Sequence, residues 1–209
     1  MFRLNLKMII NQLRIESYGA TVSDRLGSIA GDLVKRMMRN SVLHGKSASL
    51  GTTEPLTVNQ IVSLLSQTTK IDQNKIRQLL DDMSNDQLKP IKKHKSTNDE
   101  MKYSVNLMSI LHFSQSKMIE SLLETKFNSK VHVRVYRATQ ALGVVSEKQI
   151  EEICLLSLKE VRKILYDLTV EGIMEQLEIN LNKGIYAYSV KLSGYLPLLR
   201  ERILKVRDM

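Results

Sequence analysis

Two clusters of basic side chains are the residues of this sequence whose type and spacing could do chemistry. Lys89, Lys92, Lys93 and Lys95 place four positive charges within seven residues of a polar hairpin, and Lys159, Arg162 and Lys163 recur at helical spacing. Lysine and arginine so grouped neutralise backbone phosphates and release their counterions, which is the sequence-independent part of nucleic-acid binding. The first cluster suits minor-groove or phosphate contact; its plain alternative is an exposed, solubilising loop. For the second the alternative is a solvated helix face paired with Glu160, Asp167 and other acids at helical spacing.

Other chemistries find no residues arranged for them. The sequence has no glycine-rich phosphate loop and no nucleophile motif. Asp81-Asp82 and Glu151-Glu152 are neighbours on helices, where adjacent side chains point about 100° apart and do not converge on a substrate. Cys154, the single cysteine, sits beside Ile153 on a short helix and reads as a buried packing thiol, which excludes an intrachain disulfide framework and fits a reducing compartment. His44, His94, His112 and His132 lack ligand spacing, so neither a metal nor another cofactor is expected. No apolar run approaches the roughly 18 residues of a membrane span. Aromatic residues make up 5% of the chain with no tryptophan, which argues against a large sugar or aromatic-ligand site. The expectation is a protein that is not an enzyme, with no small-molecule substrate and no membrane.

The elements that must position these residues come from a repeat. Tyr103-Ser104-Val105-Asn106-Leu107 returns 85 residues later as Tyr188-Ser189-Val190-Lys191-Leu192. Ile76, Leu79, Leu80 and Met83 return at the same offset as Val161, Ile164, Leu165 and Leu168, so the register survives a whole helix-to-strand unit. Thr57 with Gln60, Ser146 with Gln149 and Ser157 with Glu160 are capping boxes, and Asp72 supplies a further N-cap. Staple pairs bracket them: Leu56 with Ile61, Ile71 with Ile76, Val145 with Ile150 and Leu156 with Val161. Each copy reads α-α-α-β-β. The first runs approximately Thr21 to Leu43, Thr57 to Gln67, Asp72 to Ser84, Leu88 to Lys93 and Met101 to Val105. The second runs approximately Lys130 to Leu142, Ser146 to Leu155, Ser157 to Glu171, Ile173 to Ile179 and Ile185 to Val190. A helix from Asn106 to Phe127 joins them.

A helix-turn-helix with a two-stranded wing is a winged helix. The expected fold is therefore mainly α with small β wings, as tandem winged-helix domains joined by a helix. Residues 1–106 form an N-terminal helix plus the first winged helix, 107–194 the connecting helix plus the second, and 195–209 the start of a C-terminal helix. In the second wing, Tyr186, Tyr188 and Val190 should take one face and Ile185, Ala187 and Ser189 the other.

Fold does not decide function, so the outward faces must. The third helix of the first copy shows Asn74, Gln78, Asp81 and Asn85, with Asp81 and Asp82 unfavourable to a phosphate. Its counterpart shows Lys159, Lys163 and Tyr166, flanked by Arg162. Net charge is +9, concentrated in residues 1–43 with seven basic against three acidic side chains, whereas residues 127–194 hold nine against eight. Modest, auxiliary DNA contact follows. At the start, Phe2, Leu6, Ile9, Ile10 and Leu13 make one helical stripe beside Arg3, Lys7 and Arg14. It reads either as packed on the next helix, against Val22, Leu26, Ile29, Leu33 and Met37, or as a mitochondrial presequence. The small polar residues from Gly45 to Thr53 read as a connector or as a reaching loop.

Several segments carry a resemblance. Val22-Ser23-Asp24-Arg25-Leu26, Asp32-Leu33-Val34-Lys35-Arg36-Met37-Met38-Arg39, Lys126-Phe127-Asn128-Ser129, Ser146 to Ile153 and Lys159 to Tyr166 are similar to the third subunit of RNA polymerase III, the winged-helix member of its initiation subcomplex. The resemblance covers nearly the whole chain through dispersed positions. It implies a non-catalytic, nuclear subunit that sits over the cleft and helps hold open promoter DNA. The implied partners are the other RNA polymerase III subunits, the promoter-bound initiation factors and, weakly, DNA. The family carries four winged helices and a C-terminal coiled coil; this sequence looks like the central pair, cut as a fragment. Leu196, Leu199, Ile203 and Val206 would be the root of the coiled coil. A free-standing tandem winged-helix DNA-binding regulator is the alternative, and a pure docking scaffold a third.

Overall fold

Gly27 breaks the first helix that periodicity alone would run unbroken from Thr21 to Leu43. In the computed structural model, which describes residues 5–43, 51–65, 72–95, 100–180 and 185–191, helix α1 spans Leu6–Leu26 and helix α2 spans Ser28–Leu43. Gly27 takes φ 92° and ψ 163° and gives its N–H to the Ser23 carbonyl at 2.9 Å. A side chain there would be strained, so glycine makes the one-residue reversal. The two helices fold back on each other closely: a Cβ on Gly31 would lie 2.6 Å from the Gly19 carbonyl oxygen.

The buried face of α1 is Ile15, Gly19 and Val22, packed with Leu33, Val34 and Met37 of α2. The predicted packing of Leu6, Ile9, Ile10 and Leu13 on that partner helix is therefore corrected. Those four side chains are exposed, as is Ile29. Val22 belongs to α1 itself, and the stripe lies on the opposite side of the helix from the packed residues, because half a turn separates Leu13 from Ile15.

The chain divides between Ser114 and Gln115 into two compact units. In the first, strand β1 (Leu56–Thr57), helix α3 (Val58–Leu65), helix α4 (Gln73–Asn85), strand β2 (Ile91–Lys95) and strand β3 (Met101–Val105) follow the helical pair, with sheet order β1-β3-β2. Helix α5 spans Leu107–Phe127. In the second unit come helix α6 (Lys130–Leu142), strand β4 (Val144–Val145), helix α7 (Glu147–Cys154), helix α8 (Leu158–Val170), strand β5 (Met174–Asn180) and strand β6 (Ile185–Val190), with order β4-β6-β5. Both units are winged helices, mainly α with small β wings, as expected. The short strands β1 and β4, which complete each sheet as a third member, have no periodicity long enough to read from two residues.

The third helices keep the repeat register, 73–85 against 158–170. Upstream the offset grows, 58–65 against 147–154, because seven residues separate α3 from α4 and three separate α7 from α8. All three capping boxes form. Thr57 N–H donates to Gln60 Oε1 at 2.9 Å, and Ser146 and Ser157 exchange the same pair of bonds with Gln149 and Glu160. Asp72 stands at the N-cap of α4, but its side chain makes no capping bond.

Ile76, Leu80 and Met83 are buried in the first core, with Leu79 packed at its edge. Val161, Ile164, Leu165 and Leu168 are all buried in the second. α5 gives Leu107 and Ile110 to the first core and Ile119 and Leu123 to the second. The wing alternation is less strict than predicted. Tyr188 is in the core, yet Ala187 on the other face is also buried, standing opposite Leu177 across the hairpin. The first wing begins later than expected, at Ile91, since a turn from Asp86 to Lys89, closed by the Lys89 N–H on the Asp86 carbonyl at 3.0 Å, holds Lys89 at φ 46°.

The end of the small-residue loop is tied down. Thr53 exchanges bonds with Val105 on strand β3 at 3.1 and 2.9 Å, and the Gly51 carbonyl accepts from the Leu107 N–H at 2.8 Å. Residues 44–50, the staple residue Ile71, the wing tips at 96–99 and 181–184, and the C-terminal segment from 192 onward lie outside the described residues.

Candidate nucleic-acid interface

The sheet pleat separates the four wing lysines that the sequence clusters. Lys92 stands opposite Ser104 and His94 opposite Lys102, whereas Lys93 stands opposite Tyr103 and Lys95 opposite Met101. Directly opposed residues share a face. Lys92 and Lys102 therefore lie on one face with His94, whose Nε2 bonds the Ser104 hydroxyl at 2.7 Å. Lys93 and Lys95 lie on the face of buried Ile91 and Tyr103, which is the face turned to the helices.

From there Lys93 reaches Asp81 of α4, Nζ to Oδ1 at 2.7 Å. Asp81, one of the two acids expected to repel a phosphate, and a lysine expected to attract one thus neutralise each other, while Asp82 stays exposed. Lys102 is the residue sequence reasoning missed; period-2 alternation against Lys92 across the hairpin would have found it. Asn74, Gln78, Asp81 and Asn85 are exposed on α4, as predicted.

Lys89 is exposed at the entry to the wing, in the left-handed region at φ 46°. The turn before it holds it there. Its N–H donates to the Asp86 carbonyl at 3.0 Å, and the Asp86 carboxylate accepts from the Leu88 N–H at 2.7 Å. Arg25 of α1 grips that carboxylate with Nε at 2.8 Å and Nη2 at 3.3 Å, and lies over the Phe113 ring. The guanidinium, ahead of the Leu88 and Gln87 amides, holds the Asp86 carboxyl below its ordinary range.

In the second unit, steps of 100° put Lys159, Lys163, Tyr166 and Val170 within an arc of about 60°, opposite the buried side of α8. Tyr166 is 70% exposed. Arg162 sits at the flank, and its Nε bonds Glu147 Oε2 on α7 at 2.8 Å. The same carboxylate takes a longer bond from the Tyr188 hydroxyl, whose proton is held more tightly chiefly because the ring is buried.

The acids that the alternative reading would have paired with this face are used elsewhere. Glu160 closes the Ser157 capping box, and Asp167 meets His132 Nε2 at 3.3 Å. Lys159 and Lys163 have no ion-pair partner among the described residues. Of the seven predicted residues, then, Lys93 and Arg162 are occupied by acids, while Lys89, Lys92, Lys159 and Lys163 present their charge to solvent. Lys95 stands exposed at the end of β2.

The remaining reactive groups are built into the fold. Cys154 is buried, and burial pushes its thiol up, away from the thiolate. His132 stacks on Phe127 with ring centroids 4.2 Å apart and planes 2° from parallel. Among the described residues, no group of three or more His, Cys, Asp or Glu could hold a metal ion, and no helix is long and apolar enough to cross a membrane.

Residues 119–189, the second winged helix, match the family described as "POLR3C, C-terminal winged-helix domain". The chain is also similar to curated proteins named DNA-directed RNA polymerase III subunit RPC3. With the human protein it shares 24% identity over 98% of this chain and 39% of the relative. With that of Danio rerio it shares 25% over 85% of the chain and 32% of the relative. With that of Dictyostelium discoideum it shares 26% over 54% and 18%. The chain thus spans about two fifths of the length of the human relative. A solved structure, ScpB from Mycobacterium tuberculosis, overlaps at a TM-score of 0.29 and 11% identity, too distant to bear on either fold or function. The resemblance read from dispersed residues is borne out.

Proposed function

We propose that this chain, a relative of RNA polymerase III subunit RPC3 across nearly its whole length, is a non-catalytic subunit of that polymerase acting in transcription initiation in the nucleus. The alignment over 98% of the chain carries this reading. Its partners are other polymerase subunits and promoter-bound initiation factors, and its contact with DNA is auxiliary. Residues 1–106, 107–194 and 195–209 are its working divisions.

The electrostatics support docking over autonomous DNA binding. One third helix presents amide and acidic side chains, with Asp81 tied to Lys93 and Asp82 exposed. The other presents two lysines beside exposed Tyr166 and Val170, a surface half cationic and half apolar. A duplex-gripping helix draws its affinity from more phosphate neutralisation than that. DNA contact is assigned to Lys89, Lys92, Lys95, Lys159 and Lys163, with Lys93 and Arg162 reduced by their carboxylate partners.

The test is co-elution. The folded chain, mixed with purified RNA polymerase III depleted of its own RPC3, should elute with the polymerase; a folded chain that elutes alone refutes the proposal. The second reading, a free-standing winged-helix regulator, is favoured only by the solvent-facing lysines. It requires tight duplex binding by the chain alone, falling steeply as salt rises.

A further inference from the structure

The first ten residues of α1, from Leu6 to Ile15, carry an apolar stripe that nothing described in the first unit covers. Leu6 is 64% exposed, Ile10 48% and Leu13 65%, with Ile9 exposed beside them. At 100° per residue the four fall on one arc of about 100°, directly away from the packed face of Ile15, Gly19 and Val22. They stand at i, i+3, i+4 and i+7, the spacing with which an amphipathic helix enters a groove. The stripe belongs to an arm: from Asn5 to Arg14 every residue but the half-buried Asn11 is exposed.

Charge narrows the occupant. Lys7 and Arg14, seven residues apart, line one edge of the stripe, and neither has an ion-pair partner among the described residues. Glu16, the acid that follows the arm on α1, is held by Lys35 at 2.8 Å and Arg39 at 2.7 Å, and those ammonium and guanidinium groups keep its carboxyl below its ordinary range. The free charge along the arm is therefore cationic on one side only. A second copy of the chain, pairing stripe to stripe, would bring Lys7 and Arg14 near their own duplicates. A lipid surface favours a polar face rich in Lys and Arg, whereas here Asn5, Asn11 and Gln12 fill most of it.

We propose that the N-terminal half of α1 is a docking arm, seated by Leu6, Ile9, Ile10 and Leu13 in an apolar groove on another protein, with acidic side chains along the rim that meets Lys7 and Arg14. The choice of partner rests on the polymerase reading above: the groove belongs to another subunit of that assembly. The arm is continuous with the half of α1 that packs through Ile15, Gly19 and Val22, so the core of the first unit anchors it while its apolar face stays open.

The experiment uses the full chain with photoreactive benzoylphenylalanine in place of Ile10, mixed with purified RNA polymerase III depleted of RPC3. Irradiation should attach position 10 to a protein segment rich in apolar residues with more Asp and Glu than Lys and Arg. Leu13→Asp should cut retention at least tenfold while leaving the chain's thermal melting unchanged, because Leu13 lies outside the core; Lys7→Glu with Arg14→Glu should weaken it less. Unchanged retention of Leu13→Asp, or no cross-link from a chain that co-elutes, overturns the arm and leaves the polymerase reading standing. A cross-link to a second copy, or Leu13-dependent flotation with phosphatidylserine vesicles, also overturns it. A native chain that never co-elutes removes both readings.

Discussion

The seven basic residues read from the sequence should not behave alike towards DNA, and salt dependence separates them. Each cation that neutralises one phosphate of duplex DNA contributes about −0.9 to the slope of log K against log salt. Across a fourfold rise in salt, such as 25 to 100 mM, one contact is therefore worth a factor of about 3.5 in affinity. Lys92 and Lys163 face solvent, so Lys92→Ala and Lys163→Ala should each flatten the slope by about 0.9. Lys93 and Arg162 already hold carboxylates at 2.7 and 2.8 Å. Any phosphate must compete with an acid that stays behind, so Lys93→Ala and Arg162→Ala should change the slope by less than about half that amount. Releasing the arginine should do the opposite: Glu147→Gln removes the competing charge and should steepen the slope towards one additional contact. Fluorescence anisotropy of a labelled 20-base-pair duplex, titrated at several salt concentrations, reads all five variants. Equal loss from Lys93→Ala and Lys92→Ala, or no gain from Glu147→Gln, would refute the division of these residues by their ion pairs.

Three further outcomes follow from packing and titration. Glu120, a buried carboxylate, accepts from Arg137 at 2.9 and 2.7 Å and from Lys117 at 3.0 Å; with both cations partly solvated, Glu120→Gln should cost about 1–2 kcal/mol at pH 7 in urea denaturation. Arg137 first, then Lys117, hold the Glu120 carboxyl below its unperturbed 4.5. Its contribution is therefore complete above that value and lost as pH falls through the lower folded value, so native chain and variant should converge in acid; a gap that persists at pH 2 contradicts the assignment. Leu155 is held at φ 49° and is 87% exposed; Leu155→Asn, which tolerates that backbone, should stabilise by about 0.5–1 kcal/mol, and a lowered melting temperature would mean its side chain is held by contacts. Gly31→Ala places a methyl 2.6 Å from the Gly19 carbonyl oxygen and should destabilise by about 1–3 kcal/mol despite better helix propensity. Unchanged stability there would show that α1 and α2 separate freely.

The helices were legible because their signals are local. Capping boxes at Thr57, Ser146 and Ser157 involve residues three apart, and the inward faces of α4 and α8 follow from helical period alone, so no distant contact was needed to read them. Where the reading slipped, a long-range fact intervened. Gly27 between two helix-forming stretches looks like an interior glycine until the close approach of Gly19 and Gly31 shows that the chain must reverse. β1 and β4 are two residues each, and only their partners on β3 and β6 make them strands. Leu88, which opens an apolar segment, is held in a turn by the Asp86 carboxylate, so the strand starts only at Ile91.

The amino-acid order by itself determined the duplicated helix-helix-helix-wing plan, the basic clusters and the resemblance to a polymerase subunit, since periodicity, capping and residue identity are properties of neighbours along the chain. Only the tertiary structure decided which charges are free. Whether Lys93 meets Asp81, Arg162 meets Glu147 or Asp167 meets His132 depends on elements brought together from 12, 15 and 35 positions apart. It decided likewise that Leu6, Ile10 and Leu13 face water, because a helix has two sides and the sequence alone does not say which of them finds a partner.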